Sequence, residues 1–93
     1  MKVEWLPKAR EQLYGYVRRI AEDSPQAAID LAREIHAKTD SLATYPLRCR
    51  AGRVAGTREM VIKPNYIVVY RIAGDEVQIL RVRHARQQWP AKG

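Results

Sequence analysis

The sequence is poor in the residues that support disulfide, metal or nucleotide chemistry. Cys49 is its only cysteine, so no disulfide can form within the chain, and a single free thiol fits a reducing cytoplasm. The two histidines, His36 and His84, stand far apart, and the sequence has no Cys-x-x-Cys or His-x-x-x-His pattern. Gly52 and Gly56 do not form a phosphate-binding loop pattern. We therefore expect neither a metal nor another cofactor.

Long apolar runs and a secretory leader are also missing. The longest apolar run, residues 66–70, has the length of a strand, whereas a membrane span needs about 18 residues. No apolar segment follows Lys2, so we expect no signal peptide. With 46% hydrophobic residues the chain can bury a core, and its length suits one domain, residues 1–93. These features predict a cytoplasmic protein with no membrane partner.

Acidic residues are scarce in the second half of the chain. Residues 1–46 carry seven basic and seven acidic side chains, whereas residues 47–93 carry ten basic and three acidic ones. The formal net charge of +7 therefore lies entirely in the second half. Nine of its ten cations fall between Arg48 and Arg86. This segregation predicts that an anionic partner docks on one part of the molecule.

The first half has the pattern of a short strand followed by two helices. Residues 2–5 alternate polar and apolar side chains, as a strand does. Pro7 suits the first turn of a helix, and Ser24 suits the N-cap of a second helix. Residues 7–45 are therefore predicted to form an αα-hairpin. Its facing apolar stripes are Leu6, Ala9, Leu13, Val17 and Ile20, and then Ala28, Leu31, Ile35, Leu42 and Tyr45.

The second half has the pattern of an antiparallel meander. Three β-rich runs are separated by turn residues, at 58–63, 66–72 and 77–84. They predict a meander over residues 58–84, preceded by a loop with a short strand near Arg53 and followed by a C-terminal tail, residues 85–93. The predicted fold class is α+β, in the order β-α-α-β-β-β, with the αα-hairpin packed on one face of an antiparallel sheet.

The basic residues of the second half are candidates for a binding surface. Alternation along the last strand predicts that Leu80, Val82 and His84 share one face. The other face would then carry Val77, Ile79, Arg81 and Arg83. Arginine is favoured where phosphate or carboxylate is bound in a bidentate manner. The predicted anion-binding and target-binding residues are Arg58, Lys63, Arg71, Arg81, Arg83 and Arg86, with Arg48, Arg50 and Arg53 nearby in the loop.

The same region contains residues that could cleave RNA without a metal. Glu59 and His84 are a possible acid–base pair, and Arg81 could stabilise the charge of the transition state. Tyr66 and Tyr70 could stack a base. Alternatively, Glu59 pairs with a neighbouring arginine and His84 is a hydrogen-bonded residue at a strand end. Charge alone would also fit a nucleic-acid-binding module without toxicity.

The order of several short segments resembles the RelE/ParE superfamily of bacterial type II toxins. The segments are residues 3–9, 24–28, 56–59, 68–72 and 77–90. Within the superfamily, Thr57-Arg58-Glu59 and the ending from His84 to Pro90 are more similar to the ParE, or plasmid-stabilisation, branch. The resemblance implies a toxin that is neutralised by a cognate antitoxin. A ParD-like antitoxin would combine a DNA-binding ribbon-helix-helix part with an acidic, flexible tail.

The resemblance implies two possible targets. ParE-like toxins inhibit DNA gyrase and block replication, whereas RelE-like toxins cut messenger RNA on the ribosome. RelE-type sites are rich in lysine and arginine and have a late tyrosine or histidine. Here Arg81 and His84 lie in that region, but no tyrosine follows them, and only Lys63 and Lys92 occur after residue 46. We therefore expect a gyrase inhibitor that acts by binding, with a ribosome-dependent endonuclease using Glu59, Arg81 and His84 as the alternative.

The resemblance also suggests a role for the first half of the chain. An apolar groove beside the helices or along a sheet edge would receive an amphipathic segment of the antitoxin. The candidates for that surface are Trp5, Leu13, Tyr14, Tyr16 and Val17. The alternative is that most of them fill the core of a small domain.

Overall fold

The computed structural model describes residues 1–62 and 65–85. It confirms the α+β class, with a five-stranded sheet in the order β1-β5-β4-β3-β2. The predicted Lys63 and Arg86, and the tail beyond residue 85, lie outside the described residues. The elements are β1 (Lys2–Trp5), α1 (Pro7–Asp23), α2 (Pro25–Asp40), β2 (Arg50–Ala51), β3 (Arg58–Ile62), β4 (Tyr66–Ala73) and β5 (Glu76–His84).

Both helices begin where the sequence predicts. Pro7 occupies the start of α1, where its missing N–H leaves no hydrogen bond unmade. Ser24 ends α1 and caps α2, since its hydroxyl oxygen accepts a hydrogen bond from the Ala27 N–H at 3.2 Å. Neither of these helices is long and apolar enough to cross a membrane.

The second helix ends earlier than predicted. It stops at Asp40, and a 3-10 turn, Ser41–Ala43, follows it in place of the helix predicted up to residue 45. The N–H groups of Thr44 and Tyr45 both donate to the Ser41 carbonyl, which tightens the chain here. This tightening places Leu42 in the core but leaves Tyr45 59% exposed, so the predicted apolar stripe breaks off before Tyr45.

The meander is antiparallel as predicted, but β1 pairs with β5 in parallel. The register of this pair runs from Lys2 opposite Glu76 to Trp5 opposite Ile79. Beyond Trp5, α1 covers the edge of β5 that β1 leaves unpaired. The Val82 N–H donates to Gln12 Oε1 at 2.9 Å, and the His84 N–H donates to the Tyr16 hydroxyl at 3.1 Å. Two side chains one turn apart on α1 therefore satisfy the edge of β5.

A β-bulge in β5 overturns the predicted alternation of its side chains. Val69 of β4 lies opposite Arg81, whereas the next residue, Tyr70, lies opposite Ile79, so Leu80 is the extra residue. Ile79 and Val82 are both fully buried, although strict alternation places them on opposite faces. Because the phase changes at Leu80, Arg81 shares a face with neither Val77 nor Ile79. The bulge turns the arginines away from the core.

The core lies between the sheet and the two helices. Leu13 is 1% exposed and belongs to this core, so its prediction as an antitoxin-binding residue was wrong. The helix turns Leu13 toward the sheet and its neighbour Tyr14 toward solvent, because successive residues are about 100° apart around a helix. The buried apolar residues of the cluster are Ala9, Leu13, Leu31, Ile35, Leu42, Met60, Ile62, Tyr66, Val68, Tyr70, Val77, Ile79 and Val82.

The segment after α2 is fastened to the sheet by two side chains of neighbouring strands. The Tyr70 hydroxyl donates to the Pro46 carbonyl at 2.8 Å. Arg58 Nη1 donates to the carbonyls of Leu47 and Cys49, at 3.2 and 2.8 Å. Burial of Tyr70, together with its contact with Cys49, raises the pKa of its hydroxyl well above the usual value. The hydroxyl therefore remains a hydrogen-bond donor at physiological pH.

We predict that Leu13→Ala lowers the free energy of unfolding by about 2–5 kcal/mol, because it leaves a cavity in the core. Tyr14→Ala, the change at the adjacent exposed residue, should alter the same quantity by less than about 0.5 kcal/mol. Urea unfolding of both variants measures the difference. Equal effects of the two substitutions would contradict this orientation of α1.

Candidate functional site

The face of the sheet opposite the helices, here the open face, carries the candidate site. Register pairing aligns side chains of the three long strands in rows across it. The first row consists of Glu59, Val69 and Arg81, and the second consists of Val61, Ile67 and Arg83. Arg71 lies on the same face as Val69, two residues along β4.

Three of the predicted target-binding arginines share the open face. Arg81 and Arg83 are both half-buried. Burial lowers the pKa of the Arg83 guanidinium, and the positive charge of Arg81 lowers it further. Arg71 is exposed, and its Nε donates to Gln78 Oε1 at 2.7 Å. A bound anion would offset both the desolvation of Arg83 and its repulsion by Arg81, so the open face favours an anionic partner.

Glu59 is the buried acid of the open face, and it is engaged by the β2–β3 hairpin. Its side chain is 5% exposed. One carboxylate oxygen accepts from Arg50 Nη2 at 3.1 Å, and the other accepts from the Arg53 N–H at 3.3 Å. The interpretation that Glu59 pairs with a neighbouring arginine is therefore confirmed. The short strand expected near Arg53 is β2, and Glu59 holds it against the sheet.

His84 lies on the helix side of the sheet. It stands opposite Tyr66, and the two rings meet edge to face with centroids 5.2 Å apart. Tyr66 in turn packs against Tyr16 of α1, also at 5.2 Å. Burial, and then the nearby Tyr16, raises the pKa of Tyr66. The His84 ring is therefore engaged by Tyr66, although His84 also lines a small pocket together with Glu59 and Arg83.

The two tyrosines predicted to stack a base are not available to one. Tyr66 and Tyr70 are both buried in the core, because their alternation on β4 turns them toward the helices. A small pocket beside the end of β5 is lined by residues that include Arg53, Glu59, Arg83 and His84. It encloses about 20 Å³, which is room for roughly one water molecule. A nucleobase is too large for this pocket.

Arg58 fastens the segment that follows α2 to the sheet. Its guanidinium Nη1 donates to the carbonyls of Leu47 and Cys49, and its assignment to the target-binding set stays a prediction. Arg50 of β2 reaches Glu59 with its guanidinium, whereas Arg53 reaches it with its backbone N–H.

The candidates for antitoxin binding do not form one exposed surface. The Trp5 ring packs on His36 with centroids 5.3 Å apart, and Tyr16 accepts the bond from β5. Trp5, Tyr16 and Val17 are only partly buried, and all three pack against the core. Tyr14 is the one candidate of the five that is largely exposed, at 52%.

Sequence reasoning missed an apolar part of the open face. Val54, Val69 and Leu80 line a shallow depression beside Arg81. Val54 lies in the loop before β3, and Leu80 is the bulge residue, so neither stands out in a period-two pattern. Pairing of the strands brings them together. The open face thus offers an apolar contact flanked by guanidinium groups.

Within the described ranges, 1–62 and 65–85, no three His, Cys, Asp or Glu side chains lie close enough to hold a metal ion.

A family model described as "ParE toxin of type II toxin-antitoxin system, parDE" matches residues 3–89. This match covers almost the whole chain. The chain belongs to the ParE toxin family. It is thus a toxin of the RelE/ParE superfamily, and membership implies a cognate antitoxin as its partner.

Named relatives and a solved structure agree with this family. The chain is 41% identical to the toxin candidate Y4kP of Sinorhizobium fredii over 90 residues, covering 96% of this chain and 93% of that protein. It is 38% identical to "Toxin RelE2" of Caulobacter vibrioides over 84 residues, covering 90% and 94%. The structure "Chromosomal ParDE TA system from P. aeruginosa" superposes with a TM-score of 0.81 at 22% identity, covering 92% and 97%. That likeness confirms the fold.

We predict that Glu59→Ala loosens the β2–β3 hairpin without unfolding the sheet. Loss of the carboxylate removes the acceptor for Arg50 and for the Arg53 N–H, each bond being worth about 1 kcal/mol or more. Amide hydrogen exchange at Gly52 and Arg53 should accelerate about tenfold, while that of β4 and β5 changes little. Glu59→Gln, which keeps an acceptor oxygen, should give an intermediate effect. Uniform acceleration across all strands would contradict a local role.

Proposed function

We propose that this ParE-family toxin inhibits DNA gyrase by binding it through the open face, without catalysis. The observation that carries the proposal is the gathering of Arg71, Arg81 and Arg83 on one face of the sheet, where Glu59 is buried and already engaged by Arg50 and by the Arg53 N–H. The ring of His84, the other member of the acid–base pair that the sequence suggests for RNA cleavage, packs on Tyr66.

Metal-independent RNA cleavage needs groups that move protons at a single phosphodiester. One group takes the proton of the 2′-hydroxyl and another supplies a proton to the leaving oxygen. Glu59 is buried and accepts two hydrogen bonds, and the His84 ring packs on Tyr66. Arginine stabilises negative charge but does not give up its proton in the physiological range. The open face is therefore better suited to binding than to catalysis.

The open face is suited to an acidic patch of a protein partner. Arg71 and Arg81 stand on adjacent strands, and the apolar depression of Val54 and Leu80 lies beside Arg81. Guanidinium groups bind carboxylates in a bidentate manner, and an apolar contact adds an anchor that is insensitive to salt. Positive potential on one face also accelerates the encounter with an acidic surface. These properties match those of a toxin that occupies its target.

An acidic antitoxin tail would be attracted to the same arginines. A flexible acidic segment gains charge-assisted hydrogen bonds there as it orders. Bound antitoxin would then cover the open face and exclude the target. Neutralisation in this proposal is competition for one surface.

The ribosome-dependent endonuclease is the second candidate, and two observations favour it. Relatives named RelE1 and RelE2 are 31% and 38% identical to this chain. Glu59 and Arg81 also share one cross-strand row. This candidate requires cleaved transcripts, which the gyrase proposal does not.

We predict that the purified toxin inhibits supercoiling by gyrase and that Arg81→Glu combined with Arg83→Glu weakens inhibition at least tenfold. Each reversal replaces attraction by repulsion at the centre of the open face. Dose–response curves of supercoiling inhibition measure the effect. Transcript integrity in a translating extract is followed with the same protein samples.

The matched control is Arg33→Glu together with Arg10→Glu, which makes the same charge change on the exposed surfaces of α2 and α1. This variant should inhibit gyrase as the unaltered toxin does. Unchanged supercoiling with transcripts cut at codon positions would reject the gyrase target in favour of the endonuclease. Equal losses in both double variants would reject the open face as the binding surface.

A further inference from the structure

A hydrogen bond fixes the orientation of Arg71, the exposed arginine of the open face. Its Nε–H donates to Gln78 Oε1 at 2.7 Å, and the two residues stand opposite one another on β4 and β5. A guanidinium group has five N–H donors, one on Nε and two on each Nη atom. The bond to Gln78 uses the Nε–H, so the four donors on the Nη atoms remain for another acceptor.

Gln78 is itself oriented by Glu76. Its Nε2 donates to Glu76 Oε1 at 2.9 Å, and the two residues are on the same side of β5 because they are two positions apart. A carboxylate only accepts hydrogen bonds, so the amide nitrogen of Gln78 must face Glu76. The amide oxygen is thereby directed at Arg71. Glu76 and Gln78 are both half-buried, whereas Arg71 is exposed.

The acidic side chains near Gln78 do not neutralise Arg71. Glu4 stands opposite Gln78 on β1, and it forms an ion pair with Lys2 at 3.6 Å. Glu76 accepts from Gln78, and among residues 1–62 and 65–85 it forms no ion pair with Arg71. The group that holds the guanidinium is therefore an uncharged amide. It fixes the direction of Arg71 and leaves its positive charge available.

Arg81 of the open face is held by a different acceptor. Its Nη1 donates to the carbonyl of Leu80, the bulge residue, at 2.7 Å. This acceptor belongs to the backbone and is present whatever the side chain at position 80. Arg71 depends instead on the side chain of Gln78, so a single substitution can release it without changing the charge of the face.

A fixed guanidinium binds a carboxylate more tightly than a mobile one, because a mobile side chain loses rotamer freedom when the partner binds. We propose that Gln78, oriented by Glu76, is a positioning residue for partner binding. It holds Arg71 so that the two Nη groups meet a carboxylate of an acidic protein segment in a bidentate manner. This inference rests on the proposed function, since it takes the open face to be the surface that binds an acidic partner.

Gln78→Leu removes the acceptor and keeps the charge of the open face. It should weaken both inhibition of gyrase supercoiling and binding of a fluorescent hexaglutamate peptide at low ionic strength, each by about 2- to 10-fold. The matched control is Gln26→Leu on the exposed surface of α2, where Gln26 Nε2 donates to Asp30 Oδ1 at 2.9 Å. It loses the same kind of bond and should change neither measurement.

A double-mutant cycle separates positioning from a merely structural role. Arg71→Ala should weaken peptide binding about tenfold or more, because a charge-assisted contact is lost. Adding Gln78→Leu to Arg71→Ala should then weaken binding by less than about 1.5-fold, because Gln78 acts through Arg71. An equal loss from Gln78→Leu with and without Arg71 would overturn the proposal.

The motion of Arg71 can be measured in the free toxin, without any partner. The heteronuclear NOE of the Arg71 Nε–H should fall in Gln78→Leu and in Glu76→Ala and stay unchanged in Gln26→Leu. Equal mobility in the unaltered toxin and Gln78→Leu would overturn the proposal, as would failure of the unaltered toxin to bind either gyrase or hexaglutamate. Peptide binding that depends on Gln78 through Arg71, without inhibition of gyrase, would reject the proposed target and uphold the positioning role.

Discussion

The architecture depends on the neighbours that strand β5 pairs with and on the β-bulge at which the alternation of its side chains reverses. Its first half pairs with β1 and β4, and its second half pairs with β4 while Gln12 and Tyr16 of α1 cap its other edge. The bulge at Leu80 lies between the two halves. Without it, Arg81 and Arg83 would share a face with Ile79 and be driven into the core, where unpaired charges are very costly. One extra residue thus permits a buried strand to end in a cationic surface.

The two faces of the sheet consequently have different physical characters. The helix side is apolar, and its few polar groups, such as the Tyr70 hydroxyl, are used to fasten the chain. The open side gathers guanidinium groups around a small apolar contact and one buried carboxylate, that of Glu59. The Glu59 carboxylate, a candidate acid or base for catalysis, instead stabilises the β2–β3 hairpin by accepting hydrogen bonds from Arg50 and from the Arg53 N–H. This division supports the proposal that the open face binds a partner.

Helix α1 contacts the core and strand β5 on one side and solvent on the other. Its inner side supplies Leu13 to the core and Tyr16 to the edge of β5, while its outer side presents Tyr14 and Gly15 to solvent. These inner contacts fix the rotation of the helix and so decide which of its residues face solvent.

The sequence by itself determined the family, the order of the elements and the starts of both helices. Pro7 and Ser24 act within one helical turn, so their effect does not depend on distant residues. Only the tertiary structure decided the end of α2, the parallel pairing of β1, the bulge at Leu80 and the burial of Leu13. It also packed the His84 ring on Tyr66 and paired Glu59 with Arg50. Each of these depends on which remote residues pair across strands or pack against the helices, and a local pattern contains no information on those pairings.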